Sequence, residues 1–324
     1  MRVIARLLCL AANVLLLGGA SLALATDTPT VGGSGGGPFR LQCPPGHFLV
    51  GLEGRTGLWI DQITALCARW ERTQTQSSLG FPVRVGRFGG AGGGPRSVVC
   101  PGNSVISGWT IHPSHGEPPM VEYFFPKCRA ALPPYASVDI DLQFGDVHPV
   151  ARSTFSHPFM AAEEVHECPR FQVAVGVYGA SGAYVDRLGL ICGPLPPIRI
   201  RSGPGKCLDV HAPDQLKNGA RVQVWDCNIQ DQQDWHVVDR ALVTRNGKCL
   251  DVHAPDQYTN GGKVQIWDCN GAPQQQWTLL PDRTLRSAAG KCLDVHAPEQ
   301  LMNGGRVQVW DCNPAVTQQH WLFR

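Results

Sequence analysis

The sequence predicts an all-β protein of two halves, and three observations carry that prediction. Charged residues make up only 17% of the 324, while 37 glycines and 26 prolines together approach a fifth. That composition suits neither a helical bundle nor a coiled coil. The hydrophobic share of 43% can build cores, which argues against a disordered chain. Each half also repeats itself three times, in short alternating segments rather than helical ones. At about 100–200 residues per domain, the length favours two domains.

The chain opens with Arg2 and Arg6, then an apolar run from Leu7 to Ala25 that ends in Ala23-Leu24-Ala25 before Thr26. A basic start, an apolar stretch and a small-x-small end read as a secretory signal peptide over residues 1–25. The run approaches a membrane-spanning length. Gly18, Gly19 and Ser21 break its end, which favours cleavage over anchoring. Either outcome places the remainder outside the cytosol, secreted or extracellular. No second apolar stretch of that length follows, so no membrane span is expected after cleavage. The formal charge is +2, and without the two leader arginines the basic and acidic residues balance. Nothing in that balance attracts nucleic acid or an anionic membrane.

Cys9 lies in the leader, and twelve cysteines remain. An even number in an exported chain suggests disulfides. Sequence alone leaves their connectivity open. Pairing neighbours gives every repeat its own bridge and is the simplest option: Cys43–Cys67, Cys100–Cys128, Cys168–Cys192, Cys207–Cys227, Cys249–Cys269 and Cys292–Cys312. No C-x-x-C pair occurs, so a zinc site has little support.

Gly193-Pro194-Leu195-Pro196-Pro197 reads as a stiff linker, 193–197, between a domain at 26–192 and one at 198–324. Beyond it, Lys206, Lys248 and Lys291 each begin a 23-residue unit, and 17 of the 23 positions are the same in all three. Each copy closes with Gln-x-Trp, at Trp235, Trp277 and Trp321. Cys-Leu-Asp-Val and Val-Gln-Val-Trp alternate as strands do, and Asn-Gly supplies a tight turn between them. A unit of some 42 residues cannot bury a core alone, so three units should close around a three-fold axis. Leu208, Val210, Val222, Val224 and the Gln-x-Trp tryptophans are the expected core. With these motifs in register three times, the whole stretch 197–324 resembles the ricin-B-type β-trefoil lectins.

Such a lectin binds a pyranose with an aromatic plate for its C–H face and a carboxylate plus amides for its hydroxyl rim. The resemblance assigns Asp209, Trp225, Asn228 and Gln232 to the first pocket. The second would use Asp251, Trp267, Asn270 and Gln274, and the third Asp294, Trp310, Asn313 and Gln318. The last position is often Asn in the family and is Gln in all three copies here. His211, His253 and His296, two residues past each aspartate, are read as local loop residues at the edge of the pockets rather than as a shared metal site. Asp226, Asp268 and Asp311 read as solvated or turn-capping. Three weak pockets on one rigid body would give avidity toward a repeated sugar.

The first half repeats more faintly. GGSGGGPFRLQC and GGAGGGPRSVVC precede Cys43 and Cys100. A glycine lies eight residues past each first cysteine (Gly51, Gly108, Gly176), and a carboxylate six before each second one (Asp61, Glu122, Asp186). Val138, Ile140, Leu142 and Phe144 alternate with polar residues, as in a half-buried strand. These glycine patterns resemble the jacalin-like β-prism lectins, although Pro118 stands where the other copies have glycine. Asp61, Glu122 and Asp186 recur in matched settings, which fits a turn or strand role better than an acid/base pair. His112, His115 and Glu117 lie in a proline-flanked loop, and Asp139 and Asp141 on the solvent side of a strand; neither group is read as a metal site. No G-x-S-x-G, H-E-x-x-H or P-loop occurs.

The expectation is a secreted lectin, not an enzyme and without a cofactor, whose partners are glycans or polysaccharides of galactose or xylose type. Two alternatives stand beside it. One is a polysaccharide-active enzyme with a catalytic first half; the other is a toxin-like protein targeted by glycans.

Overall fold

The computed structural model describes residues 26–73, 76–114, 119–132, 137–138, 143–145, 163–169 and 172–324. The leader (1–25), His115, Glu117, Pro118, Asp139, Ile140, Asp141 and Leu142 lie outside them. Among the described residues the regular elements are β-strands and single-turn 3-10 helices.

Three antiparallel sheets build the first half, each around one long hairpin. The hairpins are His47–Thr56 with Ile60–Arg72, Ser104–Pro113 with Val121–Ala130, and Gln172–Ser181 with Val185–Pro194. The strand that flanks each hairpin comes from the next repeat. Gly94–Val99 edges the first hairpin, Glu164–Glu167 the second, and Gly37–Gln42 closes the circle on the third. A cysteine follows each of these lent strands and bridges back to its own hairpin, as Cys43–Cys67, Cys100–Cys128 and Cys168–Cys192. Every disulfide therefore ties one sheet to the next.

Gly51, Gly108 and Gly176 mark where the lent strand arrives. A Cβ on Gly108 would stand 2.8 Å from the His166 carbonyl oxygen, and one on Gly51 or Gly176 would meet the Val98 or Leu41 carbonyl still more closely. Only glycine admits a neighbouring backbone so near. The three sheets share one apolar core, which includes Leu52, Ile63, Ile111, Phe124, Val177 and Leu188. Of the strand expected around 138–144, Ser137–Val138 pairs with Val121–Ala130, and buried Phe144 bridges to Phe124.

In the second half each unit contributes an antiparallel pair: Cys207–Val210 with Ala220–Trp225, Lys248–Val252 with Gly262–Asp268, and Cys292–Val295 with Gly305–Trp310. The second strands of the three pairs also bond to one another, which closes a barrel. Two hairpins, Trp235–Val238 with Ala241–Thr244 and Trp277–Leu279 with Leu285–Ser287, cap this barrel, and Trp321–Phe323 pairs with Ile200–Ser202, so the last strand of the trefoil meets its first. This is a β-trefoil with pseudo-three-fold symmetry. Leu208, Val210, Val222, Val224, Trp235, Trp277 and Trp321 are buried in its core, as the repeat pattern predicts. Each Gln-x-Trp indole donates to a strand carbonyl, of Leu208, Leu250 or Leu293.

The Asn-Gly turns sit differently from the sequence expectation. The paired strands are joined by a longer loop with a 3-10 turn (Ala212–Asp214 in the first copy), and Asn218-Gly219 is its last step, with Gly219 at φ +82°. The asparagine works across units. Asn303 binds Asp226, Asn218 binds Asp268 and Asn260 binds Asp311, and each aspartate also pairs with a lysine of its own copy. The aspartates expected to be solvated or turn-capping thus link the three units in a ring. Between the halves, Leu195 is buried beside Phe48 and Trp70, and the Trp70 indole donates to the Pro197 carbonyl at 2.9 Å. The proline-rich stretch is packed.

Candidate functional site

The strand pairing fixes the same constellation in each trefoil unit. Cys-Leu-Asp-Val pairs with Val-Gln-Val-Trp, so Asp209 lies opposite Gln223, Asp251 opposite Gln265 and Asp294 opposite Gln308. The aspartates are only 2–5% exposed. Burial pushes their carboxyl pKa values up, and hydrogen bonds to the ionised form oppose that rise. Two amides hold each carboxylate. In the third unit Gln308 Nε2 donates to Oδ1 at 2.8 Å and Gln319 Nε2 to Oδ2 at 3.1 Å; Gln223 with Gln233, and Gln265 with Gln275, repeat the arrangement. Each carboxylate oxygen keeps lone-pair capacity for a further donor.

The glutamine of Gln-x-Trp is the hub of this arrangement. Besides the aspartate, Gln319 Nε2 reaches the Asp311 carbonyl, and its Oε1 accepts the Asn313 backbone N–H. Gln233 and Gln275 do the same in their units. The sequence shows this glutamine as a recurring letter beside a core tryptophan; its role needed the strand register. Asn228, Asn270 and Asn313 spend their side-chain oxygen on a backbone N–H two residues on, a local turn, and the Asn228 amide nitrogen also donates one N–H to the Asp226 carbonyl at 3.2 Å. Gln232, Gln274 and Gln318 are half-buried on the wall before the hub glutamine.

The plates are open. Trp225, Trp267 and Trp310 are 39%, 40% and 42% exposed, against at most 4% for the Gln-x-Trp tryptophans. Two tryptophans in every unit thus divide the work, one as core and one as surface. Around the third plate lies a cavity of about 760 Å³ lined by Asp294, His296, Arg306, Trp310, Asn313 and Gln318, among others. The histidines stand beside acids of the 3-10 turn, His211 by Asp214 at 3.1 Å and His253 by Asp256 at 2.8 Å.

Residues 238–324 match the family model of the ricin-type beta-trefoil lectin domain. The C-terminal half is similar to the ricin-type β-trefoil lectins. Such a domain implies carbohydrate binding. The matched stretch holds the second and third units, and the first repeats their motifs. No curated protein matches the chain by sequence. Among solved structures, the agglutinin of Abrus precatorius is 28% identical over 40% of this chain and 48% of its own, with a TM-score of 0.34. The match thus spans about half of that agglutinin chain. The C-half of the earthworm R-type lectin, solved with GalNAc, is 15% identical over 40% of this chain and 98% of its own, with a TM-score of 0.34. A Malaysian banana lectin is 18% identical over 52% of this chain and 99% of its own, with a TM-score of 0.34.

In the first half, Asp61 and Asp186 each end a hairpin turn and lie against a glycine loop. Gly92 and Gly93 leave no room for a Cβ beside the Asp61 carboxylate, nor do Gly35 and Gly36 beside Asp186. Arg55 donates to the Gly92 and Gly93 carbonyls at 2.7 and 2.6 Å, and Arg187 to that of Gly33 at 3.3 Å. Asp61 is 5% exposed, and burial raises its pKa against the Gly57 backbone hydrogen bond and the Arg55 charge. The two turns meet at one end of the half, where Trp59 packs edge-on to Tyr184 with ring centres 4.9 Å apart. Glu122 is half-buried in the middle hairpin. His112 stacks on Tyr123 and lies 3.4 Å from Glu163. Among the described residues no three His, Cys, Asp or Glu side chains form a metal-binding group, and no helix is long and apolar enough to cross a membrane.

Proposed function

We propose that this is an exported lectin whose trefoil, residues 198–324, holds glycans through three equivalent shallow pockets. In each pocket the tryptophan stacks on the C–H face of a pyranose of galactose or xylose type. The carboxylate accepts ring hydroxyls, while the asparagine and the glutamine of the wall donate to the remaining rim. The observation that carries this reading is the exposed plate beside a carboxylate already clamped by two amides, repeated three times. Clamping lowers the entropy lost when a sugar binds. The test is binding of the full chain to immobilised polysaccharide. Trp225→Ala, Trp267→Ala and Trp310→Ala should each lower avidity, and the triple variant should lose binding with its melting temperature nearly intact, because the plates are exposed. Undiminished binding by the folded triple variant would end the proposal.

The paired turns of the first half favour a second sugar-binding face there. Two carboxylates cradled by glycine loops flank one aromatic pair, the same chemistry in another setting. Asp61→Asn with Asp186→Asn, placed in the trefoil triple variant, should remove any glycan binding that variant retains at high ligand density.

A further inference from the structure

The three trefoil units are close to copies, so each serves as a control for the others, and one departs. A basic residue recurs on the second strand of every unit: Arg221, Lys263 and Arg306. The first two are spent across the unit boundary. Arg221 donates to the Gly304 carbonyl, and Lys263 to that of Gly219 at 3.3 Å. The equivalent partner of Arg306 would be Gly261, and the bond is not made. Among the described residues the Arg306 guanidinium has no hydrogen bond or ion pair, and it lines the 760 Å³ cavity beside Trp310 and Asp294.

Two further differences belong to the same unit. Its 3-10 turn carries Glu299 in place of aspartate. That carboxylate accepts the Arg306 backbone N–H at 2.7 Å and sits 3.4 Å from His296 Nδ1, a longer approach than in the other copies. The wall is also one residue longer between Cys312 and Gln319, and the cavity gains Val316. The carboxylates facing this space are already served. Asp294 is held by Gln308 and Gln319, Asp311 by Lys291 and Asn260, and Glu299 by the Arg306 backbone. Among the described residues lining this space, the Arg306 guanidinium makes no hydrogen bond or ion pair and is drawn to Asp294 and Glu299 only by charge at a distance.

We infer that the third pocket takes a sugar ring bearing an anionic substituent, a carboxylate or a sulfate ester, held by the Arg306 guanidinium with the His296 ring alongside. This rests on the lectin reading above and adds a charge preference to it. A charge-assisted hydrogen bond from a planar guanidinium supports a preference on the order of tenfold over the neutral ring.

The test uses the full chain carrying Trp225→Ala and Trp267→Ala, so that only the third plate remains. Its binding is read on an array of neutral, uronate and sulfated forms of the same monosaccharides in galacto, gluco and xylo series. The expected result is a roughly tenfold gain for at least one anionic form over its neutral partner, reduced by salt and erased by Arg306→Gln. Whether uronate or sulfate members gain identifies the substituent. Equal binding of neutral and anionic forms would overturn the inference and leave the lectin reading standing, as would a preference that survives Arg306→Gln. Loss of all binding, by the parent chain as well, would overturn both.

Discussion

At the scale of residues, the pocket is a carboxylate made useful by the amides around it. Asp294 is nearly buried, and desolvation raises its pKa even though Gln308 and Gln319 donate to it. The ionised form is the better acceptor of sugar hydroxyls, so affinity should fall on acidification through that raised value. The loss should begin at a higher pH than protonation of surface carboxylates would cause. The contribution to folding has the opposite sign: a carboxyl easier to protonate when folded adds stability at low pH and loses it as the pH rises through the shifted value. Glycan affinity measured down the pH scale checks this, and a flat profile through the ordinary carboxylate range would refute it. Gln319→Ala removes the hub, taking its partner from one carboxylate oxygen, the Asp311 carbonyl and the Asn313 backbone N–H. A stability cost of about 1–3 kcal/mol is expected, together with weaker binding, both measured by denaturation and titration of the same sample. Replacement by Glu would set a second carboxyl against Asp294 and should do worse than Ala.

At the scale of elements, much was legible and the reasons differ between the halves. In the trefoil, near-identical spacing in three copies places Leu208, Trp225 and Trp235 in matching positions, so the core and the open plates follow from letters alone, whereas the burial of Asp209 on a strand covered on both faces does not. Cross-strand and cross-unit partners do not. That Gln223 faces Asp209, or that Asn303 reaches Asp226, depends on register and ring closure, which one unit's sequence does not contain. In the first half the repeated Gly51, Gly108 and Gly176 stood out, but their purpose is set by a strand from the next repeat. A side chain at Gly51 would meet the backbone carbonyl of Val98, which cannot rotate away. Gly51→Ala should therefore cost about 1–3 kcal/mol or more, beyond any gain from stiffening the unfolded chain. Gly46→Ala is the control for a conformational effect alone, since that glycine has φ +74° and open space around its Cβ position. Equal losses at the two sites, measured by thermal denaturation, would mean that close approach of the lent strand is not what Gly51 serves.

At the scale of the whole molecule, the halves meet through polar groups taken out of water. Arg72 pairs with Asp234, whose side chain is fully buried, and Arg199 donates to the Thr73 carbonyl at 2.9 Å. The composition of 193–197 suggested a stiff linker but gave no sign of these contacts, because Arg72 and Asp234 are 162 residues apart. His236 sits in this junction, its Nδ1 3.1 Å from the Leu195 carbonyl oxygen. Burial, with Arg72 and Arg245 nearby, pushes its pKa down to about 4 against the pull of that carbonyl. Since the unfolded chain takes up this proton near the ordinary histidine value of about 6.5, it binds more protons than the folded one between there and pH 4. Stability from this group is whole above pH 6.5 and is lost as the pH falls to 4. At 1.36 kcal/mol per unit the loss is on the order of 3 kcal/mol. His236→Gln keeps a donor for the Leu195 carbonyl and cannot titrate, so the variant should lose less stability than the parent between pH 7 and pH 4. Urea denaturation at the two pH values, followed by Trp70-sensitive fluorescence, measures the difference, and parallel losses in both proteins would show that the junction does not sense acid through His236.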